Sequence, residues 1–218
     1  MTRSTFLRAR RPEHKQQRRE AILAVAGDLA ATSGVGNVSL TAVADAVGLA
    51  KSNISRYFET REAIYLELLA EEWNRYADDV TQRLHSVTGT VPTITVLAET
   101  FAHRPLFCDL LSHLPTSLEY NVSAAVALSF KQRAHTSIAA VARAIADATP
   151  LTEEEGSELI AAASGLAGLL YRADNPPPVL AQVYAEAPDL TVNRRSLLPT
   201  LTRMLSALAE GLPTLRDR

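Results

Sequence analysis

The sequence predicts an all-α protein, and three observations lead there. Ala and Leu abound while aromatics make up only 6% of the 218 residues, a composition that favours helix. Apolar residues recur at spacings of three and four along most of the chain, and strand-like alternation is nearly absent. Gly and Pro fall between these periodic stretches, where they punctuate helices. With 47% hydrophobic and 21% charged residues, the chain has the make-up of a globular protein able to bury a core.

The elements follow in order. Ile22, Val25, Ala26 and Leu29 stripe a first helix over roughly 13–32, which Ser33-Gly34 stops. Ser39 is placed to cap a short helix over 40–47 with Val43, Ala44 and Val47 on one face. Gly48-Leu49-Ala50 reads as a turn, and a third short helix covers 51–58. Thr60 can cap a long helix to about 85, striped by Leu66, Leu69, Trp73, Ala77, Val80 and Leu84. Gly89 and Pro92 lead into a helix over 93–102, and Pro105 and Pro115 bracket a short segment over 106–114. Val126, Phe130, Ala134, Ile138, Val141 and Ile145 stripe a helix over 123–147. Thr152 and Glu155 form a T-x-x-E capping box for a helix reaching about Tyr171, which Pro176-Pro177-Pro178 must break. A last helix spans 197–212.

The stretch "GLAKSNISRYFETRE", residues 48–62, carries chemistry that a core does not need. On a 100° wheel, Ile54, Tyr57 and Phe58 share one arc, and Lys51, Ser52, Ser55 and Arg56 face the other way. Two short helices joined by a glycine-containing three-residue turn match the helix-turn-helix pattern, whose second helix enters the major groove. Lys51 can donate to a guanine edge or a phosphate, and Asn53 to an adenine edge or a phosphate. Ser52 and Ser55 permit close approach, Arg56 lies on the same outer arc, and Tyr57 and Arg61 suit backbone phosphates. Thr41 stands on the outer face of the preceding helix; Ser39 can serve as cap, phosphate contact or both.

Charge is asymmetric. Residues 1–61 hold ten Lys or Arg against five Asp or Glu, whereas 62–218 hold twelve against nineteen. Arg3, Arg8, Arg10, Arg11, Lys15, Arg18 and Arg19 face only Glu13 in the first nineteen residues. Such a head suits a polyanion, the alternative being a solubilising tail. No apolar run approaches the roughly 20 residues of a membrane span, and the basic N-terminus lacks the apolar stretch expected of a signal peptide. The single Cys108 leaves no internal disulfide, so a cytoplasmic protein is expected. Nucleophile-elbow, zincin, Walker and dinucleotide-loop patterns are all absent from the sequence, so neither enzymatic activity, a cofactor nor a metal is expected. His103 and His113 lack metal-ligand spacing.

Residues 21–69, "AILAVAGDLAATSGVGNVSLTAVADAVGLAKSNISRYFETREAIYLELL", resemble the DNA-binding domain of the TetR family of bacterial transcriptional regulators. The alanine-rich first helix, the capped second helix, the "AxxVGLAKSNISRYF" core and a basic residue three after the Phe all match by spacing. Ser55 departs from the pattern, since members usually carry tyrosine there, and Thr41 stands where relatives often have arginine. The resemblance implies a flexible basic arm (1–12), a helix-turn-helix domain (13–60), and a helical ligand-binding and dimerisation domain (61–218).

It also implies a homodimer that acts on a palindromic double-stranded DNA operator, as a repressor released by a small, largely apolar effector, with no membrane involved. The family's dimer helices correspond to the last two long helices, where Ile160, Ser164, Ala167, Leu197, Leu201, Leu205 and Leu208 become interface candidates; ordinary intrachain packing is the alternative. The family's pocket lies among the middle helices, which brings in Phe101, Phe107, Leu111, Tyr120, Phe130, Arg133 and Tyr171 as lining. The competing function class is a helical adaptor or enzyme whose head no longer binds DNA.

Overall fold

The computed structural model describes residues 3–190 and 196–216, with side chains from Glu13 onward. Among the described residues, ten α-helices run in the order α1 (Arg3–Ser33), α2 (Leu40–Val47), α3 (Lys51–Ile54), α4 (Arg61–Leu84), α5 (Thr90–Ala102), α6 (Pro105–His113), α7 (Ala124–Ala148), α8 (Glu153–Asp174), α9 (Pro178–Glu186) and α10 (Leu197–Gly211). There is no strand among the described residues. A 3₁₀ turn, Val35–Asn37, links α1 to α2, and a π turn, Leu114–Leu118, follows α6.

The helix boundaries arise from local chemistry. Ser39, Thr60 and Ser123 accept from the backbone N–H groups of Ala42, Ala63 and Val126, capping α2, α4 and α7. Each satisfies a donor that the first turn would otherwise leave open. Gly48 closes α2 in the left-handed region, φ 72°, where a Cβ would be strained. The backbone of α1 runs on from Arg3, about ten residues before the boundary expected at Glu13; the side chains of residues 1–12 lie outside the described residues. The proline run does end α8, but Pro178 also opens α9, a helix that the sequence pattern does not announce. Pro is well tolerated at that first position because its missing N–H has no intrahelical partner there anyway.

Helix α4 is the central strut, packed on α1, α5, α6 and α7, while α8 joins α7, α6 and α10. The core around α4 is aromatic. Tyr76 lies 4.3 Å from Phe101, Trp73 5.1 Å from Phe107, and the Phe101 and Phe107 rings stack at 5.5 Å, all between centroids. Two glycines allow α8 to approach its neighbours closely. A Cβ on Gly156 would stand 2.7 Å from the Ala142 carbonyl oxygen of α7, and one on Gly168 would stand 2.8 Å from the Ser112 nitrogen of α6.

At the start of α8, the Thr152–Glu155 capping box forms as the sequence predicts, with both reciprocal bonds present. Arg216 adds Nε and Nη2 to the Glu155 carboxylate at 2.7 and 2.6 Å. These Arg216 bonds, followed by the Thr152 N–H, pull the Glu155 pKa from 4.5 down to about 2. Because the unfolded chain takes up the proton first, the resulting stability is complete above about pH 4.5 and is lost as pH falls toward 2. Glu155→Gln is therefore expected to flatten the acid limb of the stability curve across that window and leave the alkaline limb unchanged. Thermal melts of both proteins at stepped pH measure it; an identical acid limb in the variant would refute the assignment.

Candidate nucleic-acid interface and the cleft behind it

Helices α2 and α3 pack on each other, Ala44 of α2 is fully buried, and Ile54 and Phe58 anchor the recognition segment at 0% and 3% exposure. The turn between them is held by the Leu49 N–H donating to the Ala44 carbonyl at 2.9 Å. Regular helix ends at Ile54 rather than Phe58, and Ser55–Tyr57 continue as turns. Lys51, Ser52, Ser55 and Arg56 stand exposed on the side away from the anchors, with Thr41 exposed on α2. Asn53 and Tyr57 are half-buried at the flanks. Among the described residues, none of the side chains of Thr41, Lys51, Ser52, Asn53, Ser55 and Arg56 makes a hydrogen bond or ion pair within the chain. Ser39 is exposed, its hydroxyl serving as the α2 cap.

Arg61 is a correction. Its Nε donates to the Val38 carbonyl at 2.5 Å, Nη2 to the Val35 carbonyl and Nη1 to Glu62, and its guanidinium lies over the Tyr65 ring. A side chain engaged this way ties α4 to the turn before α2 and has no fork left to offer a phosphate. The same turn is gripped from the other side by Asp109 of α6, which accepts from the Val35 N–H at 2.7 Å. His113 stands 3.6 Å from Asp109, and burial pushes its pKa below the ordinary value. Sequence reasoning missed both contacts of Asp109.

The residues expected to line one pocket are dispersed. Phe101 and Phe107 are fully buried in the aromatic stack, filling the middle helices with ring instead of cavity. Tyr120 is 79% exposed, because the turn after the π segment carries it outward. Leu111 borders a cleft between α6 and α8, and Tyr171 shares a smaller one with the edge of Phe107. Phe130 and Arg133 do converge. They line a cleft of about 310 Å³ where α7 faces the head, together with Arg19, Tyr57, Phe58 and Glu67. Val126, Ser129, Phe130 and Arg133 follow one another at i, i+3, i+4 and i+7, a signal that marks this face.

Five of the seven expected dimer positions are buried within a single chain. Ile160, Ala167, Leu201 and Leu205 are 0% exposed within a single chain, and Leu197 is also buried, because α10 packs on α8 and α5. Ser164 and Leu208 are half-buried. The outward stripe of α8 is instead Ala161, Gly165 and Leu169. His103 donates its Nδ1–H to the Glu99 carbonyl at 2.8 Å, and no group of three His, Cys, Asp or Glu side chains is placed to hold a metal ion among the described residues. Nor is any described helix long and apolar enough to cross a membrane.

An all-α chain with an anchored helix-turn-helix and an exposed row of unpaired donors has the form of a DNA-binding regulator. Comparison with known families agrees: residues 22–68 match the model for bacterial regulatory proteins of the tetR family, and residues 70–216 match the tetracyclin repressor-like C-terminal domain. The chain belongs to the TetR family of bacterial transcriptional regulators. A search of curated proteins finds no match. Among solved structures, it is similar in fold to FadR of Thermus thermophilus, a TetR-family repressor in complex with lauroyl-CoA, with 18% identity, a TM-score of 0.58, and 89% and 94% of the two chains covered. FadR of Bacillus halodurans, a fatty acid degradation regulator, aligns at 14% identity and a TM-score of 0.55 over 86% and 97%. FadR of Bacillus subtilis, in complex with stearoyl-CoA, aligns at 12% identity and a TM-score of 0.54 over 88% and 98%.

Proposed function

We propose that the protein is a cytoplasmic, homodimeric repressor that leaves a palindromic operator when a small effector binds its body. The exposed, internally unpaired row of Lys51, Ser52, Ser55 and Arg56 carries this reading, with Thr41, Asn53, Tyr57 and the Ser39-capped start of α2 beside it. The domain division is taken at 60/61, with the basic arm of residues 1–12 adding phosphate contacts. Pairing of two heads at half-sites roughly one helical turn apart requires a two-fold interface. The exposed Ala161–Gly165–Leu169 face of α8 supports it, because Ala161 and Gly165 let two helices approach closely and Leu169 offers apolar surface to bury. By linkage, effector and operator weaken each other's binding by the same factor.

Selection from random DNA supplies the operator, and fluorescence anisotropy measures its affinity. Lys51→Ala is expected to weaken operator binding by about 1–3 kcal/mol while leaving the melting temperature unchanged. An unaltered affinity would remove Lys51 from the reading residues. The affinity of the full chain is expected to fall steeply with salt, as phosphate contacts release counterions; failure to enrich any DNA sequence would defeat the proposal as a whole.

A further inference from the structure

The cleft behind the recognition segment holds a guanidinium without a partner among the described residues. Four charged side chains line it, two of each sign, and three of them have hydrogen-bond partners. Arg19 donates Nε and Nη2 to the Glu67 carboxylate and Nη1 to the Tyr57 carbonyl at 2.7 Å, with its guanidinium 4.1 Å from the centre of the Phe58 ring. Glu59 accepts from the Ser123 N–H at 2.5 Å. Arg133 is half-buried and makes no hydrogen bond or ion pair among the described residues. A partly desolvated guanidinium is stabilised by an anion that can take its planar fork. An apolar stretch of Leu66, Ala70, Val126 and Phe130 adjoins Arg133, with Ser129 and Tyr57 beside that stretch.

The geometry points to this junction, and not to the filled aromatic centre of the body, as the effector site, and to a small amphipathic carboxylate as its ligand. The carboxylate pairs with Arg133, and the apolar portion lies along Leu66, Val126 and Phe130. The volume of about 310 Å³ is at the small end for ligand pockets and suits a carboxylate of roughly ten carbons. One wall includes Tyr57 and Phe58, which close the recognition segment, and the opposite wall is α7 of the body. An occupant therefore fixes the distance between head and body, and it shifts DNA affinity to the extent that it binds one spacing better than another. This inference rests on the regulator reading above.

Calorimetric titration of the full chain with decanoate, and with decanol as its uncharged counterpart, tests the site. Decanoate is expected to bind once per chain and to release a selected operator fragment. Arg133→Gln is expected to weaken decanoate binding by about 10- to 100-fold and leave decanol binding unchanged, as the loss of a charge-assisted pair implies. Ser129→Trp, at an exposed position on the cleft wall, is expected to block both probes. Both variants should melt like the unmodified protein when ligand-free, since neither side chain bridges to another element. Absence of decanoate binding, or binding that survives both substitutions, overturns the inference. Operator binding by the ligand-free protein is read independently, so its failure would defeat the regulator reading without involving the cleft.

Discussion

Gly168→Ala is expected to lower stability by about 2 kcal/mol, a fall of roughly 4–8 °C in melting temperature for a chain of this size. The added Cβ would stand 2.8 Å from the Ser112 nitrogen and 3.1 Å from the Leu111 carbonyl carbon and the Ser112 Cα. All three atoms are backbone of α6, so no side chain can rotate aside, and α6 and α8 must separate. Alanine is the better helix former, and that gain of up to about 1 kcal/mol offsets part of the cost. Gly165→Ala, one turn earlier, is the control. Outside its own turn of α8, no described atom lies within 4 Å of the point where its methyl group would stand, so within one chain helix propensity alone acts, and at protein concentrations where the chain is monomeric the melting temperature should rise slightly. Thermal melts at matched protein concentration compare the two; equal melting temperatures would mean that α6 and α8 are not closely apposed. If the Gly165 face pairs with a second chain, the same substitution will also weaken the dimer in sedimentation equilibrium.

Much of the head was legible in the sequence because its signals are local. Ser39 and Thr60 cap the helices that follow them, Gly48 ends α2, and the wheel separates Ile54 and Phe58 from Lys51, Ser52, Ser55 and Arg56. The body was legible only as a set of helices. Periodicity shows that α8 and α10 have apolar stripes but not which neighbour covers them, so Ile160 and Leu201, completely buried in one chain, read the same as interface residues. Phe101 and Phe107 likewise read as pocket lining because a stacked ring and a cavity wall have the same composition. The junction cleft escaped because its walls come from α1, the segment after α3, α4 and α7, distant in sequence, and only Phe130 and Arg133 were picked out as pocket lining. Asp109 left no signal either, since its partner is a backbone N–H 74 residues away.

Arg61 shows how a charged residue beside a recognition segment can be misread, and Arg61→Met is expected to cost about 2–4 kcal/mol of stability, as charge-assisted bonds to partly buried carbonyls are lost. Val35 and Val38, whose carbonyls it holds, are themselves buried at 0% and 4% exposure. Methionine keeps much of the stem's packing, which isolates the loss of the guanidinium. Arg61→Lys should recover only part of the stability, because one ammonium cannot reproduce a planar fork that spans two carbonyls and a carboxylate. The effect on DNA binding separates this role from the phosphate contact that the sequence suggests. A phosphate ligand would reduce the slope of log affinity against log salt by about one when removed. With Arg61 turned inward, that slope is expected to stay unchanged at temperatures well below the melting transition, even as the transition itself moves down. A variant that melted normally but lost one unit of salt dependence would return Arg61 to the DNA interface. A destabilised variant with an unchanged slope would instead establish it as the tie that sets the turn before α2 against the first residues of α4, and so sets the recognition segment against the body.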